Sequence, residues 1–136
     1  MGKSPDRPRK VLVVDDDEQY LKLTERLLLR AGYEVLTRSE SLGTCGAVTE
    51  EAPDMVLMDM MMPSLDGDRL TPLIQRCTGV RPIVVLYSGM DPVEFEKRAK
   101  ACGADASIPK GLLPAQFLEH VARAFATPLR DARKVH

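Results

Sequence analysis

Acidic residues end two apolar segments of the chain and could together bind a cation. Asp15, Asp16 and Asp17 directly follow the apolar residues 11–14, and Asp59 closes a second apolar run. Carboxylates that meet at the ends of buried strands repel one another unless a cation lies between them. Mg2+ takes oxygen ligands and keeps several waters, so one or two carboxylates and a phosphoryl oxygen are enough. The pattern predicts a magnesium-dependent acidic pocket.

Two more polar residues follow later apolar segments and would suit phosphoryl transfer. Ser88 follows the apolar residues 83–87, and Lys110 comes shortly after residues 106–108. We interpret Asp59 as the acceptor of a phosphoryl group. Lys110 would place a mobile positive charge beside the acidic cluster and a phosphoryl oxygen. The Ser88 hydroxyl would donate a hydrogen bond to another phosphoryl oxygen.

The metal ligands can be assigned within the same cluster. We expect Asp16 and Asp59 to bind Mg2+ directly, together with the backbone carbonyl of Met61. Asp15 would hold a water of the ion. Asp17 has a different interpretation, since an aspartate after a strand often caps the next helix.

Apolar segments that alternate with amphipathic ones predict the elements that position these residues. Strands are expected at residues 11–14, 33–37, 55–59, 83–87 and 106–108. Helices are expected in five places: one ending at Ala31 and Gly32, one capped by Ser41 and running through Glu51, one at 68–77, one from Pro92 (capped by Asp91) to about Ala101, and one opening near Pro114.

Five strands alternating with five helices predict an α/β fold with a parallel sheet and right-handed crossovers. Ligands of open α/β sheets gather at the carboxyl ends of the strands, where all the candidate residues fall. Pro109 marks the fifth strand as an edge strand, because proline cannot donate a hydrogen bond in a central ladder.

Composition fits one cytoplasmic domain. The chain has 136 residues, 44% of them hydrophobic, which suits a single core. Cys45, Cys77 and Cys102 lack C-x-x-C spacing, so we expect neither a zinc site nor a disulfide framework. We expect neither a membrane span nor a signal peptide, because no apolar run is long enough for a span and no apolar segment of the signal-peptide type stands near residue 1. The domain is expected at residues 10–126, with basic tails at 1–9 and 127–136.

Four short motifs together resemble the receiver domain of bacterial response regulators. They are Val-Val-Asp-Asp at 13–16, Asp-Met-Met-Met-Pro at 59–63 with Asp-Gly at 66–67, Leu-Tyr-Ser-Gly at 86–89, and Gly-Ala-Asp-Ala-Ser-Ile-Pro-Lys at 103–110. The resemblance spans about residues 10–125. It implies a flavodoxin-like, doubly wound, five-stranded parallel sheet in the order 2-1-3-4-5 with five helices.

The same resemblance implies function and partners. A histidine kinase, a phosphotransfer protein or a small donor such as acetyl phosphate would phosphorylate Asp59, with Mg2+ as cofactor. The domain would catalyse only its own phosphorylation and dephosphorylation. Phosphorylation would repack a surface at residues 92–100, 106–108 and 114–123, which a downstream protein reads. We expect a receiver that either stands alone or is part of a longer protein. It would bind neither DNA nor membranes directly and would be a monomer or a phosphorylation-dependent dimer.

Four positions depart from the family pattern. Ser107 stands where the family often has an aromatic switch residue, although Tyr87 offers a partial substitute, and Gly111 stands where a proline usually follows the lysine. Met61 and Met90 are apolar and cannot orient an attacking water. We therefore predict a slowly decaying phosphoryl-aspartate.

Two alternatives remain open from sequence. A pseudo-receiver would bind proteins without being phosphorylated. A phosphatase of the haloacid dehalogenase type would use the Asp-x-Asp formed by Asp15 and Asp17, but this reading leaves Asp59 unexplained. Asp59→Asn should abolish phosphorylation in a receiver, whereas Asp15→Asn should be the decisive loss in the phosphatase.

Overall fold

A computed structural model describes residues 7–63, 66–77, 79 and 81–127 of the chain. Five strands and five helices alternate along this part of the chain, as predicted, with small shifts at their ends. The strands are β1 (Lys10–Val14), β2 (Glu34–Arg38), β3 (Met55–Asp59), β4 (Ile83–Ser88) and β5 (Ala106–Pro109). The helices are α1 (Glu18–Arg30), α2 (Thr44–Glu51), α3 (Gly67–Arg76), α4 (Pro92–Cys102) and α5 (Pro114–Ala126).

All strand pairs are parallel, and the sheet order is β2-β1-β3-β4-β5, which confirms the flavodoxin-like fold. The three central strands are almost continuously apolar because helices cover both faces of the sheet. Their register aligns the carboxyl ends, with Val14 opposite Met58 and Asp59 opposite Tyr87. β5 lies at an edge, as Pro109 predicted.

Two apolar clusters fill the space between the sheet and the helices. α2, α3 and α4 cover one face, and α1 and α5 cover the other. The first cluster includes Leu12, Val14, Met58, Ile74 and Phe95, and the second includes Val13, Leu28, Leu57, Tyr87 and Val121. Successive residues of one strand therefore enter opposite clusters, as the alternation of side chains along a strand requires. Because each central strand packs into both clusters, the positions of the strand ends that carry the candidate site are fixed.

Two of the predicted helix caps are present. Asp17 accepts hydrogen bonds from the N–H groups of Gln19 and Tyr20 at the start of α1. Asp91 accepts from the N–H of Glu94 at 3.1 Å and caps α4. Each carboxylate satisfies backbone donors that the first turn of a helix leaves unpaired.

The predicted cap of α2 is wrong. Ser41 does not precede the helix directly; α2 begins at Thr44 after Gly43, whose φ is 82°. The Thr44 hydroxyl donates to the Ser41 carbonyl at 2.7 Å, so a local turn occupies the segment where we expected helix. The left-handed conformation that glycine allows delays the start of α2.

The amino edge of the sheet carries a buried ion pair, away from the candidate residues. Arg81 donates to Asp105 at 2.9 Å, and both side chains are about 5% exposed. Asp105 also accepts the N–H of Val84 at 2.8 Å, which ties the start of β4 to the start of β5. This end of the sheet is held by its own polar contacts.

No helix in the described part of the chain is long and apolar enough to cross a membrane. β1 starts at Lys10 and α5 ends at Ala126. Residues 1–6 and 128–136 of the expected tails lie outside the described residues.

Candidate functional site

Three carboxylates converge at the carboxyl edge of the sheet. One oxygen from each of Asp15, Asp16 and Asp59 lies within 4.8 Å of the other two. Asp15 and Asp59 are buried, whereas Asp16 is exposed. Oxygen donors clustered in this way, with one ligand open to solvent, fit a Mg2+ ion that keeps part of its water shell.

Asp15 is fixed by donors from three parts of the chain. Its Oδ1 accepts the backbone N–H of Asp17 at 2.9 Å. Its Oδ2 accepts the Tyr87 hydroxyl at 2.6 Å and the Lys110 ammonium at 3.1 Å. The side chain is fully buried, and these bonds compensate for the loss of water around its charge. Asp15 therefore has a single orientation at the edge of the pocket.

Asp59 lies at the end of β3 with fewer partners. Its Oδ1 accepts the backbone N–H of Met61 at 3.1 Å, and its Oδ2 lies 3.4 Å from the Lys110 ammonium. Burial raises the pKa of Asp59 to about 6, and the charge of Asp15 adds to this, whereas the Met61 N–H and Lys110 oppose it. A cation in the pocket would favour the ionised carboxylate.

Lys110 joins the two buried carboxylates. Burial acts to lower the pKa of its ammonium group, but Asp59 and Asp15 outweigh burial and raise it above its ordinary value. Its Nζ also lies over two aromatic rings, 4.5 Å from the centroid of Tyr20 and 4.8 Å from that of Tyr87. Lys110 is therefore a charged, positioned group within reach of Asp59.

Ser88 lies at the end of β4 and is buried. Its Oγ accepts the backbone N–H of Met90 at 3.1 Å, and its carbonyl accepts the N–H of Lys110 at 2.9 Å. The structure thus places Ser88 on the same edge as the carboxylates, with its hydroxyl engaged in its own turn.

Met61 follows the acceptor candidate in the loop after β3. Its backbone N–H is used by Asp59, and its side chain is about half exposed. The Met61 sulfur lies 3.7 Å from Nη1 of Arg98, and Nη2 of the same guanidinium donates to Asp68 at 2.8 Å. These contacts link the loop to α3 and α4. A ligand role for the Met61 carbonyl stays a prediction.

Gly67 brings the start of α3 against the end of β3. A Cβ atom at this position would lie 2.6 Å from the Asp59 carbonyl oxygen and 2.9 Å from the Met60 Cα. Both neighbours are backbone atoms and cannot move aside easily. Close packing beside Asp59 therefore explains the glycine of the Asp-Gly pair at 66–67.

Sequence reasoning missed the aromatic surroundings of Lys110. The rings of Tyr20 and Tyr87 lie 5.6 Å apart by their centroids, and both contact the lysine. Burial raises the pKa of Tyr87 well above its ordinary value, so its hydroxyl remains a donor. A tyrosine directly before the strand-end serine was a visible signal, but the contact of Tyr20 depends on how α1 packs.

The family described as the response regulator receiver domain matches residues 11–122 of the chain. Among curated proteins, the chain is 34% identical over 132 residues to the sensory/regulatory protein RpfC of Xanthomonas campestris pv. campestris, covering 90% of this chain and 18% of RpfC. It is 28% identical over 115 residues to the polar-differentiation response regulator DivK of Brucella anthropi, covering 84% of this chain and 94% of DivK. The chain thus spans less than a fifth of one relative and nearly all of the other.

Solved structures show the same fold. The chemotaxis response regulator CheY4 of Vibrio cholerae superposes with a TM-score of 0.78 over 87% of this chain and 99% of CheY4. Sequence identity between the two is 23%, so this likeness concerns the fold alone.

Proposed function

This chain belongs to the response regulator receiver domain family, and from that premise we propose that it signals by Mg2+-dependent transfer of a phosphoryl group to Asp59. The observation that supports this most directly is the convergence of Asp15, Asp16 and Asp59 within 4.8 Å, with Lys110 bonded to two of them. Receiver domains act as signalling modules rather than as classical enzymes. The chemistry here would concern only the phosphorylation state of Asp59.

In the proposed reaction, a carboxylate oxygen of Asp59 attacks the phosphorus of the donor. A new O–P bond forms, and the bond from phosphorus to the donor breaks with its electron pair leaving on the donor. The reaction requires Asp59 in its ionised form, because only the carboxylate is nucleophilic. Lys110 would offset negative charge on Asp59 and on the incoming group.

Mg2+, when bound, would neutralise charge shared between the carboxylates and the phosphoryl oxygens. Asp16, Asp59 and the Met61 carbonyl would hold it, and Asp15 would hold a water of hydration. The exposure of Asp16 and the burial of Asp15 support this division of roles. Ser88 would leave its turn with Met90 and donate its hydroxyl to a phosphoryl oxygen.

The donor would be a histidine kinase or a phosphotransfer protein. An apolar groove of about 150 Å³ lies beside Lys110, between α1 and the start of α5. Leu23 on α1 lines this groove and is 48% exposed. A protein that presents a phosphohistidine could pack on this groove and reach Asp59 across the same edge of the sheet.

The output would be a change in the surface made by α4, β5 and α5. We propose that phosphorylation shifts the population between two arrangements of residues 92–100, 106–108 and 114–123. A downstream protein, or a second copy of the chain in a phosphorylation-dependent dimer, would bind one arrangement. We further propose residues 10–126 as the receiver unit and the cytoplasm as its location.

The rival phosphatase interpretation loses support from Asp17. Its Oδ1 already accepts two backbone N–H groups at the start of α1, so it acts as a helix cap. The pseudo-receiver alternative is decided by experiment, since its pocket could bind Mg2+ without accepting a phosphoryl group.

Intact-protein mass spectrometry after incubation with acetyl phosphate tests the proposal. We expect one phosphoryl adduct on the wild type with Mg2+, none without Mg2+, and none on Asp59→Asn. The control is Asp91→Asn, which keeps a good helix cap on α4 and should be phosphorylated like the wild type. Absence of the adduct from a folded wild type that binds Mg2+, with both acetyl phosphate and a histidine kinase as donors, would favour the pseudo-receiver.

A further inference from the structure

Tyr87 connects β4 to the acidic pocket through a buried hydrogen bond. Its hydroxyl donates to Oδ2 of Asp15 at 2.6 Å, and the side chain is 1% exposed. β3 lies between β1 and β4 in the sheet, so the tyrosine reaches past the strand that ends in Asp59. A smaller side chain at this position could not make that contact.

Tyr20 approaches the same place from α1. Its ring lies 5.6 Å from that of Tyr87 and tilts by 36°, and the Lys110 ammonium contacts both rings. We call these two residues the tyrosine clamp. Cation–π contacts at 4.5 and 4.8 Å favour the charged lysine where its water is partly removed.

Contacts with the two rings are needed to position Lys110, because the residue that follows it provides no side-chain packing. Gly111 follows with a φ of 90° and has no side chain of its own to pack. A lysine side chain loses rotational entropy when it is fixed in one position. The clamp limits the positions of the ammonium group to the faces of two rings and two carboxylates.

The Tyr87 hydroxyl and the Tyr20 ring have different partners in the pocket. The Tyr87 hydroxyl bonds to Asp15, a member of the acidic cluster, whereas the Tyr20 ring contacts the Lys110 ammonium and the Tyr87 ring. Groups hydrogen-bonded to the ligands of a metal ion typically change metal affinity by about 10- to 100-fold when they are removed. Tyr87 bonds to a carboxylate that would hold a water of the ion, so its effect should lie at the lower end of that range. A group that orients the lysine affects the phosphoryl group instead.

We propose that Tyr87 is a positioning residue for Mg2+, acting through Asp15, and that the Tyr20 ring is a positioning residue for phosphoryl transfer, acting through Lys110. This inference rests on the proposed function of the pocket. It predicts that a change at Tyr87 lowers Mg2+ affinity but not the rate of transfer, and that a change at Tyr20 lowers the rate but not the affinity. A general loss of packing would lower both.

The test compares Y87F, Y20L and Y20F with the wild type. Mg2+ binding is followed by the rise in unfolding temperature with Mg2+ concentration, and phosphorylation by acetyl phosphate is timed at saturating Mg2+. Y87F should weaken Mg2+ binding about 10-fold and leave the saturated rate within about 2-fold. Y20L should slow the saturated rate and leave Mg2+ affinity unchanged, whereas Y20F, which keeps the ring, should match the wild type in both.

A double-mutant cycle makes the test specific. If Tyr87 acts through Asp15, Y87F should have no further effect on Mg2+ affinity in an Asp15→Asn background. Y33F is the matched control, because Tyr33 stacks on Phe125 at 5.5 Å away from the pocket.

Equal Mg2+ affinity of Y87F and the wild type would overturn the role of Tyr87, and equal rates of Y20L and the wild type would overturn that of Tyr20. An effect of Y87F that persists in the Asp15→Asn background would show a general packing role and also overturn the inference. A folded wild type that neither binds Mg2+ nor accepts a phosphoryl group would instead overturn the proposed function itself.

Discussion

The ionised form of Asp59 destabilises the folded protein. It is buried near Asp15, and a single ammonium group serves both carboxylates. Its pKa in the folded protein is raised to about 6 from an ordinary value of 3.8. The folded state therefore binds a proton at Asp59 more tightly than the unfolded state does, and this carboxyl lowers stability as the pH rises from about 4 to about 6.

Asp59→Asn should consequently stabilise the metal-free protein at neutral pH. We expect the free energy of unfolding in EDTA to rise by about 1–2 kcal/mol at pH 7, because the buried charge is removed. The gain should disappear near pH 4, where Asp59 is protonated in the folded wild type. Urea unfolding at several pH values measures both effects. A variant less stable than the wild type at pH 7 would contradict this electrostatic account.

The lifetime of the phosphoryl group depends on residues that flank the pocket. Met61 and Met90 offer no polar group to orient an attacking water, so we expect slow hydrolysis. Met61→Asn should shorten the half-life severalfold, because Met61 is exposed beside Asp59 and its amide replacement can hold a water. Leu73→Asn, an exposed change on α3, is the control. Decay is followed by mass spectrometry in Mg2+ buffer after removal of the donor, and a wild-type half-life of seconds would contradict the prediction.

At the scale of elements, the approach of α3 to β3 depends on Gly67. Gly67→Ala would force a Cβ to within 2.6 Å of the Asp59 carbonyl oxygen, so α3 or β3 must shift. We expect a loss of about 1–3 kcal/mol in the free energy of unfolding. Weaker Mg2+ binding should accompany it, because the shift moves Asp59.

Gly46 provides the matched control for this substitution. It lies inside α2, and a Cβ there would have nothing within 4 Å. Gly46→Ala should raise stability by about 0.5–1 kcal/mol, since alanine favours helix more than glycine does. Both variants are compared by urea unfolding. Equal effects of the two changes would show that close packing at Gly67 has no special role.

The sequence predicted the elements best where burial is continuous. β3 has the predicted bounds, Met55–Asp59. Its four apolar residues are buried between two helical layers, where a strand of a parallel sheet is the expected structure. α2 was less well predicted, because the turn at Gly43 competes with the Ser41 cap and no periodic apolar stripe outweighs it.

Some features of the candidate site could also be predicted from sequence, and others could not. The carboxylates could be placed together from sequence, since each lies at or just after the carboxyl end of a strand of a parallel sheet. The contact of Tyr87 with Asp15 joins residues that are 72 positions apart, and that of Tyr20 with Lys110 depends on the packing of α1. Side-chain contacts across three elements require the tertiary structure.

At the scale of the whole molecule, the proposed receiver unit can be tested by truncation. Both core clusters and all the pocket residues lie between residues 10 and 126. We expect a chain of residues 10–126 to keep the unfolding temperature of the full chain to within a few degrees and to accept a phosphoryl group at an unchanged rate. The truncation removes the contacts of Arg7 with Glu34 and Asp54 at 3.7 and 3.8 Å, which should cost little. It also removes the bond from the Glu34 N–H to the Arg9 carbonyl at 2.9 Å and the contact of Arg9 with the Phe125 ring at 4.7 Å, which account for the expected loss of a few degrees. Failure of this truncated chain to fold would show that the unit extends further.

The central claim is that Asp59, and no neighbouring carboxylate, carries the phosphoryl group. The most direct measurement treats the Mg2+- and acetyl phosphate-treated wild type with borohydride, which reduces an acyl phosphate to an alcohol, and then sequences the peptides by mass spectrometry. We predict homoserine at Asp59 and unchanged aspartate at Asp15, Asp16 and Asp17. Homoserine at Asp15 or Asp16, with Asp59 unmodified, would contradict the account.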